Sequence, residues 1–365
     1  MTERDWREVM WNCERWLAGR RPAAAAELLR AAADSLPGEA RPDRYGEGKL
    51  VEDFERRVTE CLGKPDGVLM PSGTMAQQIV LRIHCDARAR DTVGFHPTCH
   101  LELHEHGGYA QLHGLKAELI GERDRLIELS DLQALPLLGA LLLELPQREI
   151  GGQLPEWDEL AAQIRWAQDR GIATHLDGAR IWEAAPYYER PHAAIADLFD
   201  SVYVSLYKGL GGLAGCVLCG SEELVGQARV WRRRHGGTLS NLFPFAAAAQ
   251  RGLDQLVELM PRFLEHARAV AGALIELTGV EVVPDPPQTP LFHVHLRGER
   301  KALHERLLDI AASRGIWLGH RLEPTSLPGV QKLELNIGEP ALEISPAEAA
   351  ELFEAVVAGE RVTVC

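Results

Sequence analysis

The sequence predicts an α/β fold on a largely parallel sheet covered on both faces, and three observations carry that prediction. From Glu52 to about residue 245, apolar segments of strand length alternate with segments of helical period. One of them, Ala140-Leu-Leu-Leu-Glu144, is apolar without alternation, as expected of a strand buried on both faces. Two others, ending near Asp177 and near Lys208, run from apolar residues directly into glycine and charge. In such sheets, ligands gather beyond the carboxyl ends of the strands.

The elements follow in order. Residues 1–40 read as helical, with Trp6, Val9, Met10, Cys13, Trp16 and Leu17 on one stripe that the Ala-rich stretch 22–36 continues. That stripe has to be buried within its own domain or against a neighbouring subunit. Gly67–Met70 reads as a strand before a helix that opens at Ser72, and Thr92–Phe95 as a short strand leading to His100. A helix over 156–171 precedes the Asp177 strand, and Val202, Val204 and Leu206 alternate with Tyr203, Ser205 and Tyr207 in a strand expected to stop at Lys208. Gly236-Gly237 precedes a long helical stretch, 244–277. Residues 279–365 mix strands, such as 291–296 and 331–336, with a helix over 346–358. The expected organisation is an N-terminal helical segment (1–43), a large domain (44–245) and a small α+β domain (246–365).

The 365 residues carry a net charge of −14, which argues against nucleic acid as a partner. The most apolar run, 134–145, is far short of the roughly 20 residues of a membrane span and contains Pro136 and Gly139. Seven cysteines form an odd, scattered set and suggest a reducing cytoplasm. Cys216 and Cys219 alternate with apolar neighbours like core positions of a strand, and no second pair accompanies them. The histidines around His100 show no clear metal-ligand pattern, so no metal is expected.

Chemistry enters with Lys208, which is followed by Gly209, Gly211 and Gly212. A lysine ending a buried strand either reaches solvent or is held neutral by desolvation, and a neutral amine suits Schiff-base chemistry with a carbonyl. Asp177, in His175-Leu-Asp-Gly-Ala-Arg180, would meet it in the same crevice from another strand. An aspartate facing a pyridinium nitrogen, with a lysine on the aldehyde carbon, is the recurring pair of pyridoxal phosphate chemistry. Ser72, Gly73 and Thr74 open a helix whose free N–H groups and hydroxyls suit a phosphate, although the same residues serve as an ordinary N-cap. His175 lies on the face of Asp177, either to orient it or simply to pack.

These motifs, in this order and spacing, resemble the threonine aldolases of the β-eliminating lyase group, which are fold-type I pyridoxal 5'-phosphate enzymes. The resembling segments are Pro71-Ser-Gly-Thr74, His100-Leu-Glu-Leu-His-Glu-His-Gly-Gly108, His175-Leu-Asp-Gly-Ala-Arg180 and Lys208-Gly-Leu-Gly211, with Arg44-Tyr-Gly-Glu-Gly48 a weaker match. The resemblance implies a large domain with a seven-stranded, largely parallel sheet and a small α+β domain. It implies Lys208 as the cofactor lysine and Asp177 as the ring-nitrogen partner. Ser72, Gly73 and Thr74 become the phosphate seat, and His100 lies over the ring and takes part in proton transfer. Glu105 orders that histidine or a catalytic water, and Arg180 binds the substrate carboxylate. The reaction implied is cleavage of a β-hydroxy amino acid of threonine or allo-threonine type to glycine and an aldehyde, in a homodimer or homotetramer.

The departures fall on the substrate side. The family's Arg-Ser-Asp-Thr start is replaced by the Trp-rich stretch, and Tyr207 stands where a serine usually precedes the lysine. The family's Glu-Asn-Thr-His-Asn becomes Glu144-Leu-Pro-Gln-Arg-Glu149, which brings Arg148 toward the substrate position. The segment Gly236-Gly-Thr-Leu-Ser240 lacks the arginine often found after its glycines. Lys332 lies near the place of a carboxylate-binding arginine. Elimination at Cβ, transamination or racemisation of another amino acid, and a non-catalytic cofactor-binding role, therefore stand as alternatives.

Overall fold

Strands covered on both faces bury both sets of side chains, and the central strands of this protein do so. A computed structural model describes residues 5–358. They divide into two compact units. The larger is formed by Ala25–Glu149 and Leu154–Glu258; the smaller by the residues up to Ala24, by Ile150–Gln153 and by the chain from Leu259 on.

The larger unit holds seven strands: β1 (Asp66–Met70), β2 (Thr92–Phe95), β3 (Lys116–Leu119), β4 (Ala140–Glu144), β5 (Ala173–Asp177), β6 (Ser201–Ser205) and β7 (Cys216–Gly220). Their order across the sheet is β1-β7-β6-β5-β4-β2-β3. All run parallel except β7, which is antiparallel to both of its neighbours. The fold is the α/β architecture of fold-type I. Every residue of β5, β6 and β7 is buried, so Tyr203 and Ser205 are as inaccessible as Val202 and Val204. The alternation in sequence reports the two sides of a covered sheet, and does not mark a wet side. Cys216 and Cys219, three apart on β7, project to opposite faces and are both free.

The helix Gly73–Ala87 packs Ala76, Ile79, Val80 and Ile83 into the same core as Val68, Val93 and Leu142. Each of the Ile and Val side chains contributes about 1.5–3 kcal/mol by leaving water.

Three expectations change. Strand β6 ends at Ser205, and Leu206–Leu210 form a turn, so Lys208 lies three residues beyond the strand. The turn is closed by Gly212 N–H donating to the Leu206 carbonyl at 2.7 Å and Gly211 N–H to the Lys208 carbonyl at 3.1 Å. The N-terminal stretch is not one helix. Trp6–Trp11 is helical, Arg15–Trp16 pairs parallel with Ile316–Trp317, and Ala25–Asp34 is a separate helix. Trp6, Val9, Cys13 and Trp16 still share one cluster, packed on Leu308, Ala311 and Trp317 within the smaller unit, while Leu28 and Leu29 of the second helix are exposed. Finally, the units divide at 24/25 and 258/259 rather than at 43/44 and 245/246. The second division falls inside continuous helix (Phe243–Arg251, a π-helical turn Gly252–Leu256, then Val257–Leu274), where no break in composition marks it.

The smaller unit contains an antiparallel sheet of β8 (Val280–Val283), β9 (Leu291–Arg297), β10 (Leu322–Pro324) and β11 (Val330–Asn336), with helices Arg300–Arg314 and Pro346–Ala358 packed on each other. Among the described residues no helix is long and apolar enough to cross a membrane.

The π-helical turn has a structural purpose. A Cβ on Gly252 would overlap the carbonyl oxygen of Leu210, in the turn that carries Lys208. Backbone cannot swing aside as a flexible side chain can. Gly252→Ala is therefore expected to cost about 1–3 kcal/mol, read as a lowered midpoint of thermal unfolding, and to weaken retention of any ligand held by Lys208.

Candidate active site

Helix Gly73–Ala87 starts at a fixed point because its first residue has no room for a side chain. A Cβ at Gly73 would overlap the hydroxyl of Tyr203. Ser72 precedes it in extended conformation, with no hydrogen bond from its side chain to the helix. The first-turn N–H groups therefore keep their donor capacity and the positive end of the helix dipole. Ser72, Thr74, Gln77, His100, Asp177 and Lys208 all line one open cavity of about 470 Å³.

Asp177 is the last residue of β5, buried to 3 % exposure. Its Oδ1 accepts from the Ala179 N–H at 3.0 Å, and its Oδ2 from Gln77 Nε2. Glu144 ends β4 directly opposite Asp177 in the parallel register. Its oxygens accept from the backbone N–H groups of His100 and Arg148, each at 3.3 Å. His100 opens the short helix His100–His104, and its Nδ1 lies 3.1 Å from Glu105 Oε1. Glu105 also accepts from Gln78 Nε2 at 3.0 Å. Because the buried Glu105 carboxylate only accepts, His100 carries its proton on Nδ1, which leaves Nε2 bare in the neutral ring.

The electrostatics weaken the amine's hold on its proton. Burial depresses the pKa of Lys208 and the Arg180 charge adds to that, while Asp177 and Glu144 oppose it. Burial raises Asp177 above the usual carboxylate range, with Lys208 pulling it back. Glu144 is pushed up to about 7 by burial and by the charge of Asp177. Two carboxylates, one amine and an imidazole thus share a poorly hydrated crevice in which small changes of surroundings move protons.

This donor set matches pyridoxal phosphate group by group. The Lys208 amine suits the aldehyde, Asp177 the ring nitrogen, the helix start with Ser72 and Thr74 the phosphate, and His100 the ring face.

The structure brings together Ser72, Gly73, Thr74, His100, Glu105, Asp177 and Lys208, as the sequence led one to expect. Of the other expected residues, Arg180 and Arg148, both in the larger unit, do not line the cavity. Arg180 is largely buried, its Nε 3.6 Å from Glu183 Oε2, and reaches the site through its charge. Arg148 lies 3.4 Å from Glu149 Oε1 and touches the site through its backbone N–H to Glu144. Lys332 is on β11 of the smaller unit, with Nζ 3.2 Å from Glu323 Oε2. Tyr207, exposed, lines the cavity beside the lysine. Sequence reading missed Gln77, Gln78 and Glu144. No local signal marks the two glutamines: their helix also carries Arg82, His84 and Asp86, and in sequence a buried glutamine reads like one facing solvent.

Comparison with known proteins agrees with this geometry. The β-eliminating lyase family matches residues 25–297. A solved structure from Exiguobacterium, provisionally described as an aromatic amino acid β-eliminating lyase/threonine aldolase, is 37 % identical with a TM-score of 0.92, covering 97 % of this chain and 99 % of that one. A provisionally described L-allo-threonine aldolase from Listeria monocytogenes is 36 % identical with a TM-score of 0.91, covering 97 % and 98 %. The low-specificity L-threonine aldolase 1 of Arabidopsis thaliana is 26 % identical over 77 % of this chain and 81 % of its own length.

Proposed function

The chain belongs to the β-eliminating lyase family, and from that membership we propose that it cleaves the Cα–Cβ bond of a β-hydroxy amino acid of threonine or allo-threonine type, giving glycine and an aldehyde, with pyridoxal 5'-phosphate in the cavity. The observation that carries the proposal is the convergence on one cavity of Asp177 at the end of β5, Lys208 in the turn after β6 and His100 in the helix after β2. When bound, the cofactor supplies the electron sink for a carbanion at Cα.

The residues of this chain do the rest. Lys208, whose hold on its proton is weakened by burial, is available to the aldehyde carbon. Asp177 holds a proton on the ring nitrogen. Ser72, Thr74 and the helix start hold the phosphate. His100, with Nδ1 committed to Glu105, presents Nε2 as the base that takes the β-hydroxyl proton, the step that selects Cα–Cβ cleavage over loss of another group. Arg180, whose charge reaches Lys208, is the candidate for the substrate carboxylate, by a bidentate guanidinium contact.

The test is product analysis. Holoprotein incubated with L-threonine and with L-allo-threonine should release acetaldehyde and glycine in equal amounts. Ammonia with 2-oxobutanoate would instead indicate elimination, and absence of all these products at high protein loading would remove the aldolase reading.

A further inference from the structure

A chain of buried polar side chains runs away from Asp177 into the core, and the mechanism above makes no use of it. Gln77 donates through Nε2 to Asp177 Oδ2. His175 Nε2 lies 2.7 Å from Gln77 Oε1, His175 Nδ1 lies 2.8 Å from Ser201 Oγ, and Ser201 Oγ lies 2.7 Å from His84 Nε2. All five residues are at most 5 % exposed.

The chemistry of the groups sets the direction of every bond. A carboxylate accepts only, so the amide nitrogen of Gln77 faces Asp177 and its oxygen faces His175. His175 must then donate from Nε2. Complete burial disfavours the imidazolium, so Nδ1 is bare and accepts from the Ser201 hydroxyl. That hydroxyl has one proton and has used it, so it accepts in turn from His84 Nε2, in a ring that burial also keeps neutral.

We propose that His84, Ser201, His175 and Gln77 form a positioning relay that presents Asp177 to the cofactor ring nitrogen as a carboxylate. The inference rests on the cofactor reading above. The relay transmits orientation and polarity, and it is not a proton wire, because the Gln77 amide interrupts any path for a proton. Its effect comes from counting donors. Burial alone pushes Asp177 toward its neutral form. The two donors on its oxygens, Ala179 N–H and Gln77 Nε2, favour the anion and so keep the shared proton on the ring. Removing the Gln77 donor makes Asp177 a stronger base and draws that proton off the ring.

The test is holoprotein reconstituted with pyridoxal phosphate labelled with nitrogen-15 in the ring, whose chemical shift separates protonated from bare pyridine nitrogen. The wild-type shift should be that of the protonated ring across the neutral pH range. Gln77→Leu and His175→Leu should move it toward the bare ring, with cofactor affinity lower by about tenfold, the worth of one hydrogen bond to a charged group. Gln77→Glu is close in shape and therefore a safeguard against misfolding; facing Asp177 it holds a proton, donates it to Asp177 as the amide did, and should keep the shift near that of the wild type. His175→Gln places an amide nitrogen near the lost Nε2 and should restore much of the wild-type shift. An unchanged shift in Gln77→Leu and His175→Leu, with only the unfolding midpoint lowered, would overturn the relay and leave a structural cluster. A wild-type protein that takes up no cofactor would overturn the cofactor reading itself, a distinct result.

Discussion

Replacing Lys208 with alanine is expected to abolish the long-wavelength absorption of the reconstituted protein and to reduce turnover by about 10³-fold or more. The expectation rests on position. Lys208 sits in a turn closed by Gly211 and Gly212, where burial and Arg180 lower its affinity for a proton. An amine whose hold on its proton is weakened offers its lone pair more readily as a nucleophile, and alanine supplies none. The same desolvation costs the native fold something, so the variant should unfold at a temperature no lower than the wild type when both are cofactor-free. Loss of the band with stability retained separates a chemical role from a structural one. Persistence of the band would move the covalent attachment to another lysine.

Asp177→Asn is expected to have the second largest effect, a drop in turnover of about 10²–10³-fold with a smaller loss of cofactor affinity. Asparagine preserves shape but replaces one acceptor with a donor. Its amide nitrogen would face either the Ala179 N–H or Gln77 Nε2, donor against donor. If Gln77 turned over to relieve the second clash, its nitrogen would meet the Nε2–H of His175, and the misfit would pass along to Ser201. The side chain would also be unable to hold a positive charge on the ring nitrogen. Steady-state kinetics with L-allo-threonine, together with cofactor titration, measure both effects.

Much of the site was legible because its residues sit beside backbone breaks. Asp177 precedes Gly178, Lys208 precedes a run of glycines, and Ser72 opens a helix at Gly73, each a local signal of a strand or helix end. Lys208 was identified even though strand β6 stops three residues earlier, since glycine flanks mark a turn whether or not the strand reaches it. The sheet was legible from Ala140–Glu144, whose unbroken apolar character only a doubly covered strand requires. What sequence could not supply was contact between distant segments. Gln77 meets Asp177 across 100 positions and His175 across 98. Nothing local tells a buried glutamine from one facing solvent. Arg148 and Lys332 rest on weakly matching segments, and each side chain lies near an acidic neighbour, Glu149 and Glu323. The unit boundary at 258/259 was hidden for a similar reason, since the helix there is continuous in composition.

The central claim is that this cavity holds pyridoxal phosphate through Lys208. Reduction of the reconstituted protein with borohydride, followed by proteolysis and peptide mass mapping, tests it most directly. The account predicts one reduced pyridoxyl phosphate adduct, on the peptide containing Lys208. An adduct on a different lysine, or none after saturation with the cofactor, would contradict it.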